Sequence, residues 1–263
     1  MKWKKVKCFA PAELWETEVI FLKILLICLA VLVGIPLLIV AFLLIFSAPI
    51  SRKKEYESES AFYRFMLNMC VYIAMKMFRI KPEVKGLEKL PKNSPVLFVG
   101  NHRSGFDPIV TMYILQKYKI IYVSKPENFR YPAVGKIMWR CRYMAIDREN
   151  PRNAIKTICR AAELLGEGGV SVGVYPEGTR SRDGSILPFH NGVFKIAQKA
   201  NVPIAVIALS GTEKISKNPF RKNRVKLTVA EVISADEVQA LSTSEIGERV
   251  KSAIEAALYE AEG

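Results

Sequence analysis

An uncharged apolar run near the N-terminus is the feature that most constrains how this chain can fold. The run extends from Ile24 to Phe46, and its 23 residues include no aspartate, glutamate, lysine or arginine. A helix crosses the hydrocarbon core of a bilayer with about 20 consecutive apolar residues. The run therefore predicts a helical segment that anchors the chain in a membrane.

Two other interpretations of this run are open. Four of the first seven residues are lysines, as in a secretory signal peptide, but the run exceeds the usual apolar length of about 7–15 residues, and Phe46-Ser47-Ala48 is a poor cleavage site. The sequence therefore favours an uncleaved anchor. Gly34 and Pro36 near the middle of the run also allow a kink, or a re-entrant hairpin that enters one leaflet.

The net charge, +14 at pH 7, indicates which partners the chain attracts. An anionic lipid surface attracts each basic residue near its headgroups by about 1 kcal/mol. Nucleic acid is the other candidate, but the sequence contains no zinc-finger spacing, helix-turn-helix signal or RNA-recognition motif. We therefore predict anionic membrane lipids as partners and no nucleic acid. One basic cluster is either a lipid-facing patch or a solvated loop: Lys217, Arg221, Lys222, Arg224 and Lys226.

The five cysteines are scattered along the chain, at positions 8, 28, 70, 141 and 159. Their spacing matches no metal-ligand pattern, and an odd number suits free thiols in a reducing compartment better than a disulfide framework. We therefore expect neither a structural metal nor disulfide bonds.

A histidine and an aspartate follow an apolar run in the middle of the chain. The run Val96 to Val99 predicts a buried strand, and the segment after it reads Asn101-His102-Arg103-Ser104-Gly105-Phe106-Asp107-Pro108. A carboxylate at a strand end can hold one imidazole nitrogen and leave the other free as a base. The pair therefore predicts a catalytic dyad, with capping of the following helix as the alternative.

A second motif follows another apolar run, Val170 to Val174, and reads Tyr175-Pro176-Glu177-Gly178-Thr179-Arg180-Ser181. Glycine lets the backbone approach a ligand closely, and the planar fork of arginine matches a phosphate group. The motif is therefore typical of a phosphate-binding loop at a strand end. A surface turn closed by a Glu–Arg pair is the alternative.

Together the two motifs resemble those of the glycerolipid acyltransferase family, in particular the 1-acyl-glycerol-3-phosphate acyltransferases, which make phosphatidic acid. The family has an Asn-His-x4-Asp motif and then a Glu-Gly-Thr-Arg motif, and here His102 and Glu177 are 75 positions apart. Other family elements occur in the expected order: Lys125-Pro126-Glu127-Asn128, Ile146-Asp147-Arg148 and Val202-Pro203-Ile204. The resemblance covers residues 80 to 215, with departures at Gly105 and Val206 that remove no reacting group.

The resemblance implies acyl transfer from a thioester to the sn-2 hydroxyl of 1-acyl-glycerol-3-phosphate. His102 would take the proton of the acceptor hydroxyl, and Asp107 would orient His102. Because the substrate supplies the nucleophile, no Gly-x-Ser-x-Gly motif is needed, and none is present. The first candidates for the phosphate are Arg180 and then Arg148, and Glu177 is expected to bond a glycerol hydroxyl. The predicted substrate-binding residues are Glu177, Gly178, Thr179, Arg180, Arg148, Lys125 and Arg103.

The acyl donor would be acyl-CoA or acyl carrier protein acting as a substrate, so we expect no cofactor and no catalytic metal. Basic residues on both sides of the apolar run give no orientation. Because acyl donors are cytoplasmic, we expect the catalytic domain on the cytoplasmic side of the cell membrane. Two alternatives are acylation of another acceptor, such as glycerol-3-phosphate or another lysophospholipid, and a non-catalytic lipid-binding protein.

Strands and helices are predicted to alternate after residue 82, which favours an α/β fold with a mixed sheet flanked by helices and ligands at strand ends. The predicted organisation is a basic cap, membrane segment and polar linker over 1–55, a possible interfacial helix over 56–82 and a catalytic domain over 83–263. A helix from Phe62 to Ile80 lies either at a membrane interface or on the core. The predicted strands are 96–99, 120–123, 144–146, 171–175, 204–209 and 225–232.

Overall fold

The computed structural model describes residues 11–92, 94–147 and 150–262, and its chain divides into two compact units, Met1–Pro49 and Ile50–Gly263. The first unit contains one long helix, α1 (Pro11–Ser47). Within it, Glu18–Ser47 has a mean hydropathy of 3.2 and is the one stretch among the described residues that is long and apolar enough to cross a membrane. At 1.5 Å per residue these 30 residues extend about 45 Å, more than the roughly 30 Å of a hydrocarbon core.

The predicted N-terminal apolar helix is therefore confirmed, and it is continuous. Helical structure runs through Gly34 and Pro36, so the two residues produce no hairpin turn. The apolar side chains of this helix are exposed, for example Leu32 at 72% and Leu38 at 71%. A helix that is apolar on all sides and exposed on all sides is suited to a lipid environment.

The second unit is a seven-stranded mixed sheet flanked by helices, which confirms the predicted fold class. The strand order is β1-β7-β6-β2-β5-β3-β4, in which β6 and β7 are antiparallel and all other neighbours are parallel. The strands are β1 (Ile80–Lys85), β2 (Leu97–Gly100), β3 (Ile121–Ser124), β4 (Met144–Ala145), β5 (Val172–Val174), β6 (Ile204–Ser210) and β7 (Asn223–Ile233). The helices are α2 (Ala61–Met77), α3 (Asp107–Ile114), α4 (Val134–Arg140), α5 (Pro151–Gly166), α6 (Lys195–Ala200), α7 (Ala235–Ala240) and α8 (Thr243–Glu262).

The centre of the sheet forms the core of this unit. Every residue of β2 and β5 is buried, and so is every residue of β6 except the last, Ser210. Strands that are covered on both faces read as continuous apolar runs, and this is why the sequence predicts them so directly. The six predicted strands correspond to β2 through β7, with ends that differ by at most two residues.

Two elements were missed, and one predicted helix is too long. The predicted helix to Ile80 ends at Met77, because Arg79 adopts a left-handed conformation with φ of 49° and the chain then enters β1. Strand β1 pairs with β7 at the edge of the sheet and alternates in burial, which gives it no apolar run. The short helix α7 was also missed, although Ser234 and Glu237 form a capping box at its start.

Helix α2 packs on the domain with one face and leaves the other exposed. Met66, Leu67, Val71 and Met75 are buried, whereas apolar side chains on the opposite face, such as Phe65 at 63%, are exposed. Arg64 is also buried, where it pairs with a glutamate at position 59 and donates to a backbone carbonyl at position 120. One face of α2 therefore packs on the core, as one interpretation predicted, and the other face has the exposed apolar side chains expected of a helix at a membrane interface.

Replacement of Gly173 by alanine is expected to destabilise the centre of the sheet. A Cβ at this position of β5 would collide with the Tyr122 ring and lie 2.9 Å from Cγ2 of Ile120. Overpacking of this kind typically costs about 1–3 kcal/mol. Chemical denaturation should show the loss for Gly173→Ala, whereas Gly192→Ala, where a Cβ meets no atom within 4 Å, should remain close to wild type. Equal stability of the two variants would contradict this packing.

Candidate active site

Both sequence motifs lie at the same edge of the sheet. Strands β6, β2 and β5 are adjacent and parallel, so their carboxyl ends lie side by side. Asn101 follows β2, Tyr175 follows β5 one residue after its last position, and Thr212 follows β6. Ligands of open α/β sheets bind at carboxyl ends of strands, and the structure brings the polar residues of three strands together there.

Asn101 fixes the start of the first motif. Its side-chain amide nitrogen donates to the backbone carbonyl of Leu209 at 2.9 Å, and its oxygen accepts from the backbone N–H of the same residue at 2.8 Å. The side chain thus continues the pairing of β2 with β6 beyond Gly100, where a Cβ would approach Ile207 at 2.9 Å. The next residue, His102, therefore leaves the sheet from a rigid position.

The predicted dyad is formed. Nδ1 of His102 lies 2.8 Å from Oδ2 of Asp107, whose side chain has no exposed surface, whereas 20% of the histidine side chain is exposed. The same Oδ2 accepts the backbone N–H groups of Arg103 and Ser104, both at 2.7 Å, and Oδ1 accepts the hydroxyl of Thr212 at 2.5 Å. This set of donors requires a carboxylate, so Nδ1 of His102 carries the proton and Nε2 is free to act as a base.

The alternative interpretation of Asp107 as a helix cap does not fit these contacts. Asp107 is the first residue of α3, and no side-chain capping bond is present at the residue before it. The carboxylate accepts from N–H groups that precede the helix, at positions 103 and 104. A negative charge at a helix N-terminus is additionally stabilised by the helix dipole. The helix thus supports the charge of Asp107, and the side chain belongs to the dyad.

A stack of aromatic rings holds the other side of the imidazole. The ring of Tyr175 is parallel to that of His102, with centroids 4.4 Å apart and planes 13° apart, and Tyr122 stacks on Tyr175 at 5.6 Å. Burial raises the pKa of both tyrosine hydroxyls, so both remain neutral. Stacking on Tyr175 therefore fixes the plane of the imidazole, and the hydrogen bond to Asp107 fixes the direction of Nδ1 within that plane.

Thr212 and Tyr175 are the functional residues that the sequence did not predict. Both stand inside segments that match family elements, but the spacing of a motif does not say which side chains contact the dyad. An aromatic residue directly before Pro-Glu-Gly at a strand end, and a threonine after a glycine at another, were the available signals.

Glu177 connects the two motifs through the backbone. Its Oε1 accepts the N–H of His102 at 2.6 Å, and its Oε2 accepts the N–H of Leu187 at 3.0 Å. Burial raises the pKa of this carboxyl. Gly178 has φ of 72°, a conformation that favours glycine, and closes the turn by donating to the carbonyl of Tyr175 at 3.0 Å. These contacts give Glu177 a positioning role between the two motifs, and its bond to a glycerol hydroxyl stays a prediction.

Arg180 is an exposed cation next to the dyad loop. Its Nη1 lies 3.8 Å from the position that a Cβ on Gly105 would occupy, and Thr179 beside it is also exposed. The backbone N–H of Ser181 donates to the carbonyl of His102 at 2.9 Å, which holds this part of the second motif against the first. Arg103 is used differently, because its Nη2 donates to the carbonyl of Gly184 at 2.8 Å.

The two remaining predicted cations are Lys125 and Arg148. Lys125 is exposed and directly follows β3, whose carboxyl end is at the same edge as those of β5 and β2. Arg148 lies outside the described residues. Its neighbour Asp147 accepts the backbone N–H of Asn150 at 3.3 Å and the side-chain amide of Asn153 at 3.2 Å, near the start of α5. Arg180 is therefore the described cation with the clearest relation to the dyad.

Several known proteins are similar to this chain in sequence. A family model described as Acyltransferase matches residues 81–210. The chain is 34% identical over 191 residues to the chloroplastic 1-acyl-sn-glycerol-3-phosphate acyltransferase BAT2 of Brassica napus, with 72% of this chain and 54% of the relative covered. It is 30% identical over 188 residues to the 1-acyl-sn-glycerol-3-phosphate acyltransferase alpha of Mus musculus, with 68% and 66% covered. The chain thus spans about half the length of the plant relatives it matches.

The fold has a solved counterpart. The crystal structure of the 1-acyl-sn-glycerophosphate acyltransferase PlsC from Thermotoga maritima superposes with a TM-score of 0.65 at 22% identity, covering 92% of this chain and 94% of the other. The matched family model spans β1 through β6 and therefore includes the dyad and the second motif. By sequence, fold and the motifs at its strand ends, the chain belongs to the glycerolipid acyltransferase family.

Proposed function

We propose that this protein transfers an acyl group from a thioester to the sn-2 hydroxyl of 1-acyl-glycerol-3-phosphate and so makes phosphatidic acid. The observation that carries the proposal is the dyad: the buried carboxylate of Asp107 orients the accessible imidazole of His102, and the exposed Arg180 lies beside the dyad loop. The printed names of the relatives, which are 1-acyl-sn-glycerol-3-phosphate acyltransferases, support the same acceptor.

The reaction needs one base that becomes an acid. Nε2 of His102 takes the proton of the acceptor hydroxyl while the oxygen attacks the thioester carbonyl, and Asp107 stabilises the imidazolium. The tetrahedral intermediate collapses with cleavage of the C–S bond, and the departing thiolate takes the proton from His102. The products are an ester and a free thiol. The thioester supplies the driving force, so the chemistry that we propose uses neither cofactor nor metal.

Arg180 is proposed to bind the phosphate of the acceptor. Hydrogen bonds to charged groups contribute about 1.5–3 kcal/mol, so Arg180→Ala should raise the KM for the acceptor by roughly tenfold to hundredfold with a smaller change in kcat. Arg180→Lys should recover part of the affinity, because it restores the charge without the fork. Steady-state kinetics with the acceptor varied at saturating donor will measure both.

The matched control for Arg180 is Arg182→Ala, which removes an exposed arginine two positions along the same loop. It should leave the KM for the acceptor near the wild-type value. A fall in kcat with unchanged KM in Arg180→Ala, or an equal effect of the two variants, would contradict phosphate binding by Arg180.

The proposed function is tested by supplying purified protein with 1-acyl-glycerol-3-phosphate and either acyl-CoA or acyl carrier protein as donor. Phosphatidic acid, detected by mass spectrometry and absent with His102→Ala, is the expected product. Parallel reactions with glycerol-3-phosphate and with a lysophospholipid that has a zwitterionic headgroup test the alternative acceptors. Turnover of either in preference to 1-acyl-glycerol-3-phosphate would replace the proposed acceptor, and turnover of none would favour a lipid-binding protein without activity.

Both the lipid acceptor and α1 support a location at a membrane. We place the protein in the cell membrane with its catalytic domain on the cytoplasmic side, where thioester donors are made, and with anionic lipids around it. The apolar length of α1 supports attachment. Protease protection in inverted and right-side-out vesicles is the test, and cleavage of the catalytic domain only in right-side-out vesicles would reverse the orientation.

A further inference from the structure

A basic and aromatic loop lies at the same edge of the sheet as the dyad. We propose that residues 216–222, the docking loop, attach this edge to an anionic bilayer, with Phe220 in the interface and Lys217, Arg221 and Lys222 on lipid headgroups. The inference rests on the proposed function in one respect: a lipid acceptor requires that the dyad approach a membrane.

The topology places the docking loop beside the site. Strand β6 ends at Ser210 and β7 begins antiparallel to it at Asn223, so the connection between them lies at the carboxyl end of β6. The connection begins with Thr212, which bonds the dyad carboxylate. The loop and the dyad are therefore attached to the same strand end.

A second chain of contacts joins the loop to the dyad. Nη1 of Arg79 donates to the backbone carbonyl of Phe220 at 3.2 Å. The preceding ring, Phe78, packs edge-to-face on Phe106 at 4.7 Å, and Phe106 directly precedes Asp107. Only three residues therefore connect the tip of the docking loop to the dyad carboxylate.

The backbone of the docking loop is held in place while its aromatic ring is exposed. The buried amide of Asn223 donates to the carbonyl groups of Phe78 at 2.9 Å, Asn218 at 3.1 Å and Arg221 at 3.1 Å. Yet the side chain of Phe220 is 87% exposed, the highest value among the large apolar side chains that the structure describes. A fixed loop that presents an apolar ring to solvent has the form of an interfacial anchor.

The sequence segment around Phe220 is strongly basic, between Glu213 on one side and Lys226, which lies opposite Glu83 in the register of β1 on β7, on the other. Residues 214–226 contain six lysines and arginines and no aspartate or glutamate. The register of β1 on β7 adds Lys81 opposite Arg224, and both side chains are exposed. Basic side chains around an exposed aromatic ring match a surface with anionic headgroups above an apolar layer. An acidic protein would match the charge but would leave the ring unexplained, so the bilayer is the partner that we assign.

A tryptophan at the loop tip can report contact with lipid. The full chain binds vesicles through α1 in any case, so the test needs a local probe: Phe220→Trp, compared with Tyr259→Trp. Tyr259 is 85% exposed on α8, and no lysine or arginine follows Lys251. After subtraction of the wild-type signal from the three native tryptophans, lipids brominated near the headgroup should quench the position 220 probe and spare the position 259 probe.

The charge contribution is tested in the same system. Quenching at position 220 should be stronger in vesicles that contain phosphatidylglycerol than in phosphatidylcholine alone, and Lys217→Gln with Lys222→Gln should remove the difference. Equal quenching at positions 220 and 259, or the same quenching with and without the anionic lipid, would overturn the proposal.

Activity separates this proposal from the proposed function. The triple variant Phe220→Ser, Lys217→Gln, Lys222→Gln should lose about threefold to tenfold in rate on vesicle-embedded acceptor and none on a short-chain, water-soluble lysophosphatidate. If the wild type acts on neither acceptor, the proposed function fails while the quenching result stands. Loss with both acceptors only when acyl carrier protein is the donor would assign the loop to an acidic protein and overturn the bilayer.

Discussion

Replacement of His102 by alanine is expected to lower kcat by about 10²–10⁴, the usual contribution of general acid–base catalysis. The change removes the imidazole that contacts the dyad carboxylate, and 20% of the His102 side chain is exposed whereas none of the Asp107 side chain is. Donor and acceptor binding should be nearly unchanged, because the imidazole acts on the hydroxyl proton. Single-turnover measurement of phosphatidic acid at saturating substrates gives the rate directly.

The matched control for His102→Ala is His190→Ala, which removes the other histidine of the chain. His190 is exposed, and its backbone N–H donates to the carbonyl of Pro176 at 2.9 Å while its carbonyl accepts the N–H of Val193 at 3.2 Å, so both backbone bonds survive the change. His190→Ala should therefore keep wild-type turnover. If the two variants lose activity equally, or if His102→Ala keeps wild-type turnover, the dyad is not the base.

The sequence predicts the dyad because all of its information is local. Histidine and aspartate five positions apart, after an apolar run, indicate a dyad or a helix cap, and the second motif at another strand end favours the dyad. Thr212 could not be predicted in the same way, because its contact with Asp107 depends on β6 lying beside β2, a pairing between segments about a hundred residues apart. Tyr175 was within a recognised motif, but its stacking on His102 depends on β5 being the other neighbour of β2.

The same reasoning explains the errors in the fold. The central strands β2, β5 and β6 are buried apolar runs, and β7 alternates apolar with polar residues over much of its eleven positions, so both patterns predict strands. Strand β1 at the edge of the sheet reads Ile-Lys-Pro-Glu-Val-Lys, and its first residue was taken for helix. Arg64 is a polar residue that the structure buries, although a basic side chain on an amphipathic helix is expected to be exposed. Here the guanidinium is buried because its ion pair with Glu59 and a backbone carbonyl satisfy it.

Replacement of Asp107 by asparagine should be about as damaging as loss of the histidine, with kcat reduced by about 10³–10⁴. Asparagine replaces one of the two carboxylate oxygens by an NH₂ group, which donates hydrogen bonds and cannot accept them. If the amide nitrogen takes the place of Oδ2, Nδ1 of His102 must accept and the imidazole must carry its proton on Nε2, which removes the base, and the N–H groups of Arg103 and Ser104 meet a donor. If it takes the place of Oδ1, the Thr212 hydroxyl must accept instead of donate, and the imidazolium loses the negative charge that stabilises it. Steady-state kcat, with thermal unfolding as a check on folding, measures the effect.

Thr212→Val distinguishes loss of the charge from loss of its orientation. Valine removes only the hydroxyl that donates to Oδ1 of Asp107 and keeps the shape of the buried side chain. We expect a decrease in kcat of about tenfold, since a hydrogen bond to a charged group contributes about 1.5–3 kcal/mol and only part of it acts on catalysis.

The double variant Asp107→Asn with Thr212→Val completes the test. If Thr212 acts on the reaction only through Asp107, the double variant should have the kcat of Asp107→Asn alone, because residues of one network give strongly non-additive effects. If the two decreases multiply, Thr212 acts independently of the carboxylate, and its hydrogen bond to Oδ1 would be a consequence of packing. The non-additive result would establish that the end of β6 acts on the imidazole through Thr212 and Asp107, in addition to the Tyr175 ring after β5 that stacks on the same imidazole.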